Sequence, residues 1–471
     1  MDTGMMYNML HAFTQLKESD MAFALWNGEE VRDVSYPVFL NDILHAAGYF
    51  RMKNMQGEHV VLCADNSYDW LVVFMAVLAS GNVAVLLNPA LPEETLMEQS
   101  RLADATYLWT DRDFDLHLPT LSYADMIAAE AMPVDETAHH AQDDTVALLG
   151  TSGTTGKSKI VEITSGNLQG SMENFSRLSS VRDMARSFLV LPLYHIGGAI
   201  TALMIFDQKK TLCVGRGMRY LLADMPALNP TYASLVPAMT ETLERIFRNT
   251  ADPEKRARLI GHRLSRVYIG GAAPKASTCR YFASQGITID TGYGMTETCG
   301  DGTWCELEES LIGTIGKPRG KMQCRIVDGE LMFKGASVMK GYYKDPEETA
   351  KVITDGWLHT GDMGRVDENG YFFVTGRKKN VIILSNGENV NPEEIEASLG
   401  KCPDILECLV YGDEKGIRAD VYTENEEAAR QFIRQYNMTV PMYRQVYKVE
   451  CQTEPLEKTP TGKIKRKENK L

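Results

Sequence analysis

Residues 149–160 read LGTSGTTGKSKI, and the placement of this peptide decides the fold. It follows the apolar run TVALL, residues 145–149, so a strand is expected to leave into a loop rich in glycine and hydroxyl groups. Gly150, Gly153 and Gly156 permit backbone shapes that other residues avoid, and let N–H groups come close to a phosphate. Thr151, Ser152, Thr154 and Thr155 add hydroxyl donors, and Lys157 and Lys159 add positive charge. Alone, a loop of this composition is often only a solvated turn; the lysines and evenly spaced glycines favour an anion-binding loop. It is not a Walker A loop, because GxxxxGK[ST] requires glycine five residues before Gly156, where the chain has Thr151.

Outward from this peptide, short β-rich runs alternate with longer amphipathic segments. HVVLCA (59–64), VAVLL (83–87), SFLVLPL (187–193) and RVYIGG (266–271) are the clearest of the runs. The alternation predicts an α/β fold: a large, layered N-terminal domain with mostly parallel sheets. The polar stretch 135–144 is expected to link two sheet subdomains. From about residue 320 the pattern becomes short strands, with Asp328-Gly329 and Asn369-Gly370 as hairpin signals, so a small β-rich subdomain closes this part. Helix patterns at 392–399 and 426–436 then mark a small α+β C-terminal domain. The boundary is placed at 378/379, giving domains 1–378 and 379–471. The basic end, KTPTGKIKRKENKL, is expected to be exposed.

Composition narrows the function. The 471-residue chain is 44% hydrophobic and 24% charged, as soluble globular proteins are. A net charge of −14 argues against nucleic-acid partners. Nine cysteines without a C-x-x-C pair argue against zinc and a secreted disulfide framework, and fit a reducing cytoplasm. The apolar stretch 70–91 is long enough for a membrane span, but Ser80-Gly81-Asn82 breaks it, so a buried helix followed by a core strand is expected and no integral membrane span.

With the phosphate loop as its first motif, the chain resembles the acyl- and aryl-CoA synthetases of the adenylate-forming superfamily. YHIGG (194–198), GGAAP (270–274), TGYGMTE (291–297), GELMFKGASVMKGYYKDPEET (329–349), TGD (360–362), GRKKNVI (376–382), NGENVNPEEIE (386–396) and TPTGKIKR (459–466) follow in the expected order, over nearly the whole chain. The resemblance implies an ATP-dependent acid–thiol ligase. A carboxylic acid is joined to the α-phosphate of ATP, pyrophosphate leaves, and the acyl group passes from AMP to the thiol of CoA or of a carrier-protein phosphopantetheine. The short chain and the GEN peptide look most like the small aryl or succinylbenzoate type, with medium and long acyl chains also open.

The resemblance also assigns roles. Thr151, Ser152, Gly153, Thr154, Thr155, Gly156 and Lys157 would hold ATP phosphates, and Gly271, Ala272, Ala273 and Pro274 would line the adenine side. Tyr293 would stack on adenine, between Gly292 and Gly294 and ahead of Met295; without the resemblance it is a core aromatic. Thr296 would bond the α-phosphate and Glu297 would hold Mg²⁺, where elsewhere such a pair is a helix cap. Asp362 and Arg377 would bind the ribose hydroxyls, though by themselves they are a turn residue and a surface charge. Lys463 would enter the site for adenylation, a role suited to a flexible ammonium; its bland reading is a solvated basic tail. Lys379 would be the hinge of a swivelling lid. His195 would line the acid and thiol passage, although a lone histidine is more often structural. Gly387, Glu388 and Asn389 would lie on the CoA side.

Three positions depart from the family pattern. Thr291 stands where an amide or acid often reads adenine, the P-D-x-x-x-G-E loop is shortened to GDEKGIRADV (412–421), and Glu457 replaces a frequent proline. The shortened loop bears on the acceptor rather than on adenylation. The absence of an acid in YHIGG disfavours amino-acid substrates. A P-loop kinase is disfavoured by Thr151, and an inactive binding protein by the presence of Glu297, Asp362 and Lys463.

Overall fold

The structure is a computed structural model that describes residues 4–152, 158–384, 388–413, 415–458 and 464–467. The chain divides into two compact units, Met1–Cys324 with Phe333–Leu358, and Arg325–Met332 with His359–Leu471.

Two sheets carry the first unit. Thr145–Ser152, from the deciding peptide, lies inside a six-stranded sheet of order Gly341–Tyr342, Ser158–Thr164, Thr145–Ser152, Val83–Leu86, His59–Cys63, Tyr107–Thr110. The last four are parallel, as continuous apolar runs buried on both faces should be. Thr145–Ser152 and Ser158–Thr164 are antiparallel, with Gly150 opposite Ile160 and Ser152 opposite Ser158. The glycine-rich loop thus joins two paired strands, whereas a Walker A loop joins a strand to a helix. The second sheet has nine strands and a parallel centre formed by Thr288–Gly294, Arg266–Ile269, Tyr232–Leu235, Arg186–Leu189, Thr211–Val214 and Met21–Trp26.

The stretch 70–91 folds as its break predicted. Ser67 accepts a hydrogen bond from Trp70 N–H to cap the helix Tyr68–Ala79, whose residues from Trp70 to Ala79 are all buried. A helix apolar all round belongs in a core, and each fully buried Phe or Leu contributes about 1.5–3 kcal/mol. The helix ends in a Schellman motif: Gly81 N–H reaches Leu78 O and Asn82 N–H reaches Val77 O. The strand Val83–Leu86 follows. Among the described residues no helix is long and apolar enough to cross a membrane.

Stretch 135–144 does not separate two sheets. The strands on either side of it, Tyr107–Thr110 and Thr145–Ser152, belong to the same six-stranded sheet. Its polar atoms turn back to the core helix: Ala138 N–H bonds Ala79 O, and the His140 ring pairs with Leu78 O. Of its polar side chains, His140 meets that helix end, Glu136 pairs with Arg51 and Gln142 with Gln169, so the stretch is packed onto the first unit.

In the second unit, Asp328 and Gly329 both have positive φ, as a tight hairpin turn requires. Asn369-Gly370 sits in a longer turn, with Gly370 N–H on Asp367 O and Asp367 N–H on Tyr371 O. Beyond it, Glu407–Asp413, Gly416–Tyr422 and Val446–Gln452 form a three-stranded sheet accompanied by the helices Pro392–Leu399 and Glu426–Thr439. The first two strands pair out to Asp413 opposite Gly416, so most of the shortened loop 412–421 is paired strand.

Candidate active site

Residues 153–157 lie outside the described residues, as do the side chains of Thr151 and Ser152; the strands on both sides fix the loop's base. On the strand after it, Lys159 pairs with Glu348 and lies 5.0 Å above the ring of Tyr342. Tyr342 is held by pairing of Gly341–Tyr342 with Glu162 and Val161. Its hydroxyl donates to Glu297 Oε1 at 3.1 Å. Burial, and then the Glu297 carboxylate, push the Tyr342 phenol well above its ordinary value, so it remains a donor. Glu297 and the strand Ser158–Thr164 therefore meet on one aromatic ring. The sequence reading did not single out Tyr342. Its only local signal is its place in GYYKDPEET, where an aromatic reads as core.

Tyr293 arrives at the end of the strand Thr288–Gly294 and stacks on Phe333, with centroids 5.6 Å apart and planes at 16°. An aromatic platform of this kind can hold a flat base. A side chain at Gly294 would put its Cβ 2.7 Å from Gly300 O, so the close passage of these two segments needs glycine. Gly292 is equally confined, by Thr303 O. Met295 N–H bonds Thr298 Oγ1 at 3.0 Å, forming the turn Thr296–Thr298 that presents Thr296 and Glu297. Gly271, Ala272 and Ala273 are exposed at the end of Arg266–Ile269, and Pro274 is half-buried. Thr291 is buried and donates to Ile269 O, so its hydroxyl is engaged by the neighbouring strand.

Behind this turn stands a polar cluster that the sequence reading missed. Asp301 is fully buried and accepts from Arg319 Nε at 2.6 Å, Asn174 Nδ2 at 2.6 Å and Ser337 Oγ at 2.7 Å. Four donors, counting Gly302 N–H at 2.8 Å, satisfy the carboxylate. Asn174, Arg319 and Ser337 lie outside any local window around Asp301, so no local pattern announces the cluster.

His195 is exposed and caps the helix Ile196–Asp207, its Nδ1 accepting from Gly197 N–H at 3.3 Å. With Nδ1 as acceptor, a neutral ring carries its proton on Nε2. The start of this helix adjoins the loop after Glu297: a Cβ on Gly300 would lie 3.0 Å from Ile200 and 4.0 Å from Gly197 Cα. YHIGG and the stretch 298–304 are thus brought together.

In the second unit, Asp362 and Arg377 face each other across paired strands, with Asp362 Oδ1 2.7 Å from Arg377 Nε. Asp362 is buried and Arg377 exposed. Lys379 lies in the turn Lys378–Asn380, where burial and then the Arg377 charge lower its ammonium below the usual lysine value. Glu388 and Asn389 belong to a small hairpin in which Asn389 pairs with Ile383 and Leu384 N–H bonds Glu388 O; Gly387 lies outside the described residues.

Lys463 is also outside them, but its flanks are tied down. Lys458 pairs with Ile464, which packs against Leu409, Tyr411 and Leu456. Arg466 grips Glu396 at 2.6 and 2.7 Å, and Lys465 and Lys467 pair with Glu457 and Asp420. The expected exposure of this end holds for Lys465, Arg466 and Lys467, and each is also paired with acidic residues of the same unit. Glu457, the departure from proline, is one of them.

A family model described as AMP-binding enzyme matches residues 13–343, and one described as AMP-binding enzyme C-terminal domain matches residues 379–470. A 2-succinylbenzoate–CoA ligase of Bacillus cereus is 31% identical over 437 residues, covering 88% of each chain. The enzyme of that name from Bacillus cytotoxicus is 33% identical over 392 residues, covering 77% of this chain and 76% of its own. The fold matches that of o-succinylbenzoate CoA synthetase (MenE) from Bacillus subtilis, solved with the acyl-adenylate intermediate OSB-AMP. The TM-score is 0.82 at 23% identity, covering 97% of this chain and 96% of that one.

Proposed function

The chain belongs to the AMP-binding enzyme family, and we propose that within it the acid is an aromatic one of the succinylbenzoate type. It is an ATP-dependent acid–CoA ligase that makes an acyl-adenylate, releases pyrophosphate and transfers the acyl group to CoA. The curated relatives above are CoA ligases, and nothing among them supports a carrier protein as acceptor.

The observation that carries the adenylation chemistry is the meeting of Glu297, Tyr342 and Lys159, with Glu297 four residues along the chain from Tyr293, which stacks on Phe333. Two anions must react, so positive charge and oriented donors are needed where charge builds on the phosphates. Lys159 and the loop before it supply these, and Thr296 adds a hydroxyl. Among the described residues no cluster of three His, Cys, Asp or Glu could cage a metal. A single carboxylate fits Mg²⁺, which binds through one or two carboxylates plus substrate phosphates and water. Glu297 would hold it, and the ion would screen the triphosphate and the leaving pyrophosphate. Tyr342 keeps that carboxylate oriented. In the second unit, Asp362 and Arg377 bind the ribose, Lys379 is the hinge of a lid formed by 379–471, and Lys463 is the visiting cation of the first half-reaction. His195 and the start of its helix line the acid side.

The test is CoA-dependent AMP formation across a panel of acids. 2-Succinylbenzoate should give acyl-CoA and AMP with the highest kcat/KM. A fatty or simple benzoic acid turned over faster, with succinylbenzoate inert, would overturn the assignment of the acid.

A further inference from the structure

Glu330 is only 5% exposed, yet it bears a charge that no motif role accounts for. Its two oxygens are divided. Oε1 accepts from the backbone N–H of Gly361 at 3.0 Å, in the middle of the Thr-Gly-Asp peptide. Oε2 binds Lys378 Nζ at 2.8 Å, the residue immediately before the proposed hinge, and the His359 ring at 3.2 Å. Burial alone would raise this carboxyl, but Lys378, His359 and the Gly361 N–H together hold it below the usual carboxylate range, so it is ionised at neutral pH.

The neighbouring bonds show what this carboxylate controls. Gly361 has φ of +70°, and Asp362 N–H turns back to Thr360 Oγ1 at 3.0 Å. Thr360 in turn donates that hydroxyl to Leu331 O at 2.7 Å, and its own carbonyl accepts from Arg377 Nη1 at 3.2 Å. The peptide is thus anchored at Thr360 by Leu331 and at Gly361 by Glu330. Asp362, one residue on, has its aim set by those anchors. Hydrogen bonds to a charged acceptor are about twice as strong as neutral ones, which suits an anchor for a loop in an uncommon backbone shape.

We propose that Glu330 is a positioning residue that fixes Thr360–Asp362 for the nucleotide ribose and ties this loop to the turn carrying Lys379. This rests on the reading of Asp362 as the ribose ligand. The Lys378 contact means that the loop and the start of the hinge turn share one carboxylate. Movement at the turn that pulled on Lys378 would be felt at Gly361, and a ribose that stiffened the loop would steady the turn.

The experiment is a double-mutant cycle on ATP affinity, measured by calorimetry, with thermal melts to show that each variant is folded. Glu330→Ala should weaken ATP by about tenfold, the effect of one charged hydrogen bond lost from the support of a ligand. Glu330→Gln keeps an acceptor for Gly361 and should recover most of that loss. In an Asp362→Ala background, Glu330→Ala should have almost no further effect, because its route to ATP runs through Asp362. Additive losses in the double variant would overturn the inference, and so would unchanged affinity in Glu330→Ala. If Asp362→Ala alone leaves affinity unchanged, the ribose assignment is what fails. Should Glu330→Ala not fold, the same cycle is run with Glu330→Leu, which keeps the buried volume, and Lys378→Met. Lys378→Met should leave ATP affinity within about threefold, since the Gly361 bond remains; a tenfold loss there would place the control at Lys378 instead.

Discussion

Tyr342 donates its hydroxyl to Glu297 at 3.1 Å while Lys159 lies over the same ring, so one side chain joins the proposed magnesium ligand to the strand after the proposed phosphate loop. Tyr342→Phe keeps the ring under Lys159 and removes only the donor. A hydrogen bond to a charged group is worth roughly 1.5–3 kcal/mol. The Mg²⁺ concentration giving half-maximal pyrophosphate release should rise by about tenfold, with little change in melting temperature. An unchanged magnesium dependence would detach Tyr342 from the metal.

Asp362→Ala removes the carboxylate that Arg377 holds at 2.7 Å and that is proposed to accept both ribose hydroxyls. At roughly 1.5–3 kcal/mol for each charged bond, ATP affinity should fall by one or more orders of magnitude. Arg377→Ala, which removes an exposed partner, should cost less. Calorimetric titration with ATP checks both, and equal binding by Asp362→Ala and the parent would remove this residue from the site.

The buried pair Asp301–Arg319 gives a stability prediction. Taking one partner from a buried pair leaves the other uncompensated, at a cost of about 3–5 kcal/mol. Asp301→Ala also strands Asn174 and Ser337. Denaturant unfolding should show a loss in that range, and a loss below about 1 kcal/mol would mean that Arg319 finds another partner.

Asp290 adds a pH dependence. It is fully buried on the strand that delivers Tyr293, with Arg266 at 2.7 Å from Oδ1 and no hydrogen-bond partner for Oδ2 among the described residues. Burial pushes its carboxyl up from 3.8 to about 7, against the pull of Arg266. The folded chain therefore keeps a proton that the unfolded chain releases in this window. Stability from this group is fully present below pH 3.8 and is lost as the pH rises to about 7, by at most ~1.4 kcal/mol per pH unit. Asp290→Asn should flatten that slope in urea unfolding at pH 5, 6 and 7. A slope identical to the parent's would assign the titration to another group.

The elements whose signals are local were legible in the sequence. Apolar runs and a Ser-Gly-Asn break were enough to read the helix Tyr68–Ala79 and the strand Val83–Leu86, and Asp328-Gly329 announced its turn. Stretch 135–144 misled because polar residues paired with distant partners, Glu136 with Arg51 and His140 with Leu78 O, look like a linker in composition. Tyr342, Asp301 and Glu330 were invisible for the same reason. Each matters through partners far away in sequence: Glu297, Asn174 and Lys378. Whether a polar or aromatic side chain packs, anchors or binds depends on contacts that only the folded chain provides.

Under the proposed roles, Lys463 serves the first half-reaction and Lys379 is the pivot to the second. The described residues on either side of Lys463 are held, Lys458 pairing with Ile464 and Arg466 with Glu396. If Lys463 reaches the reacting phosphate only during adenylation, Lys463→Ala should slow acid-dependent pyrophosphate release by about 10²–10³, the usual cost of removing one preorganised contact to a transition state. Supplied with presynthesised acyl-AMP, the same variant should pass the acyl group to CoA at close to the parent rate. Lys379→Pro should do the reverse when the chain starts in the adenylating pose. Proline fixes φ in the turn Lys378–Asn380 and stiffens the proposed pivot, leaving pyrophosphate release and blocking thioester formation. Arg466→Ala frees the base of the loop without touching Lys463, so it should weaken adenylation alone, and by less than Lys463→Ala does. Equal losses in both half-reactions for Lys463→Ala, in protein with a native melt, would rule out an alternating lid and leave this lysine a binding residue for both steps.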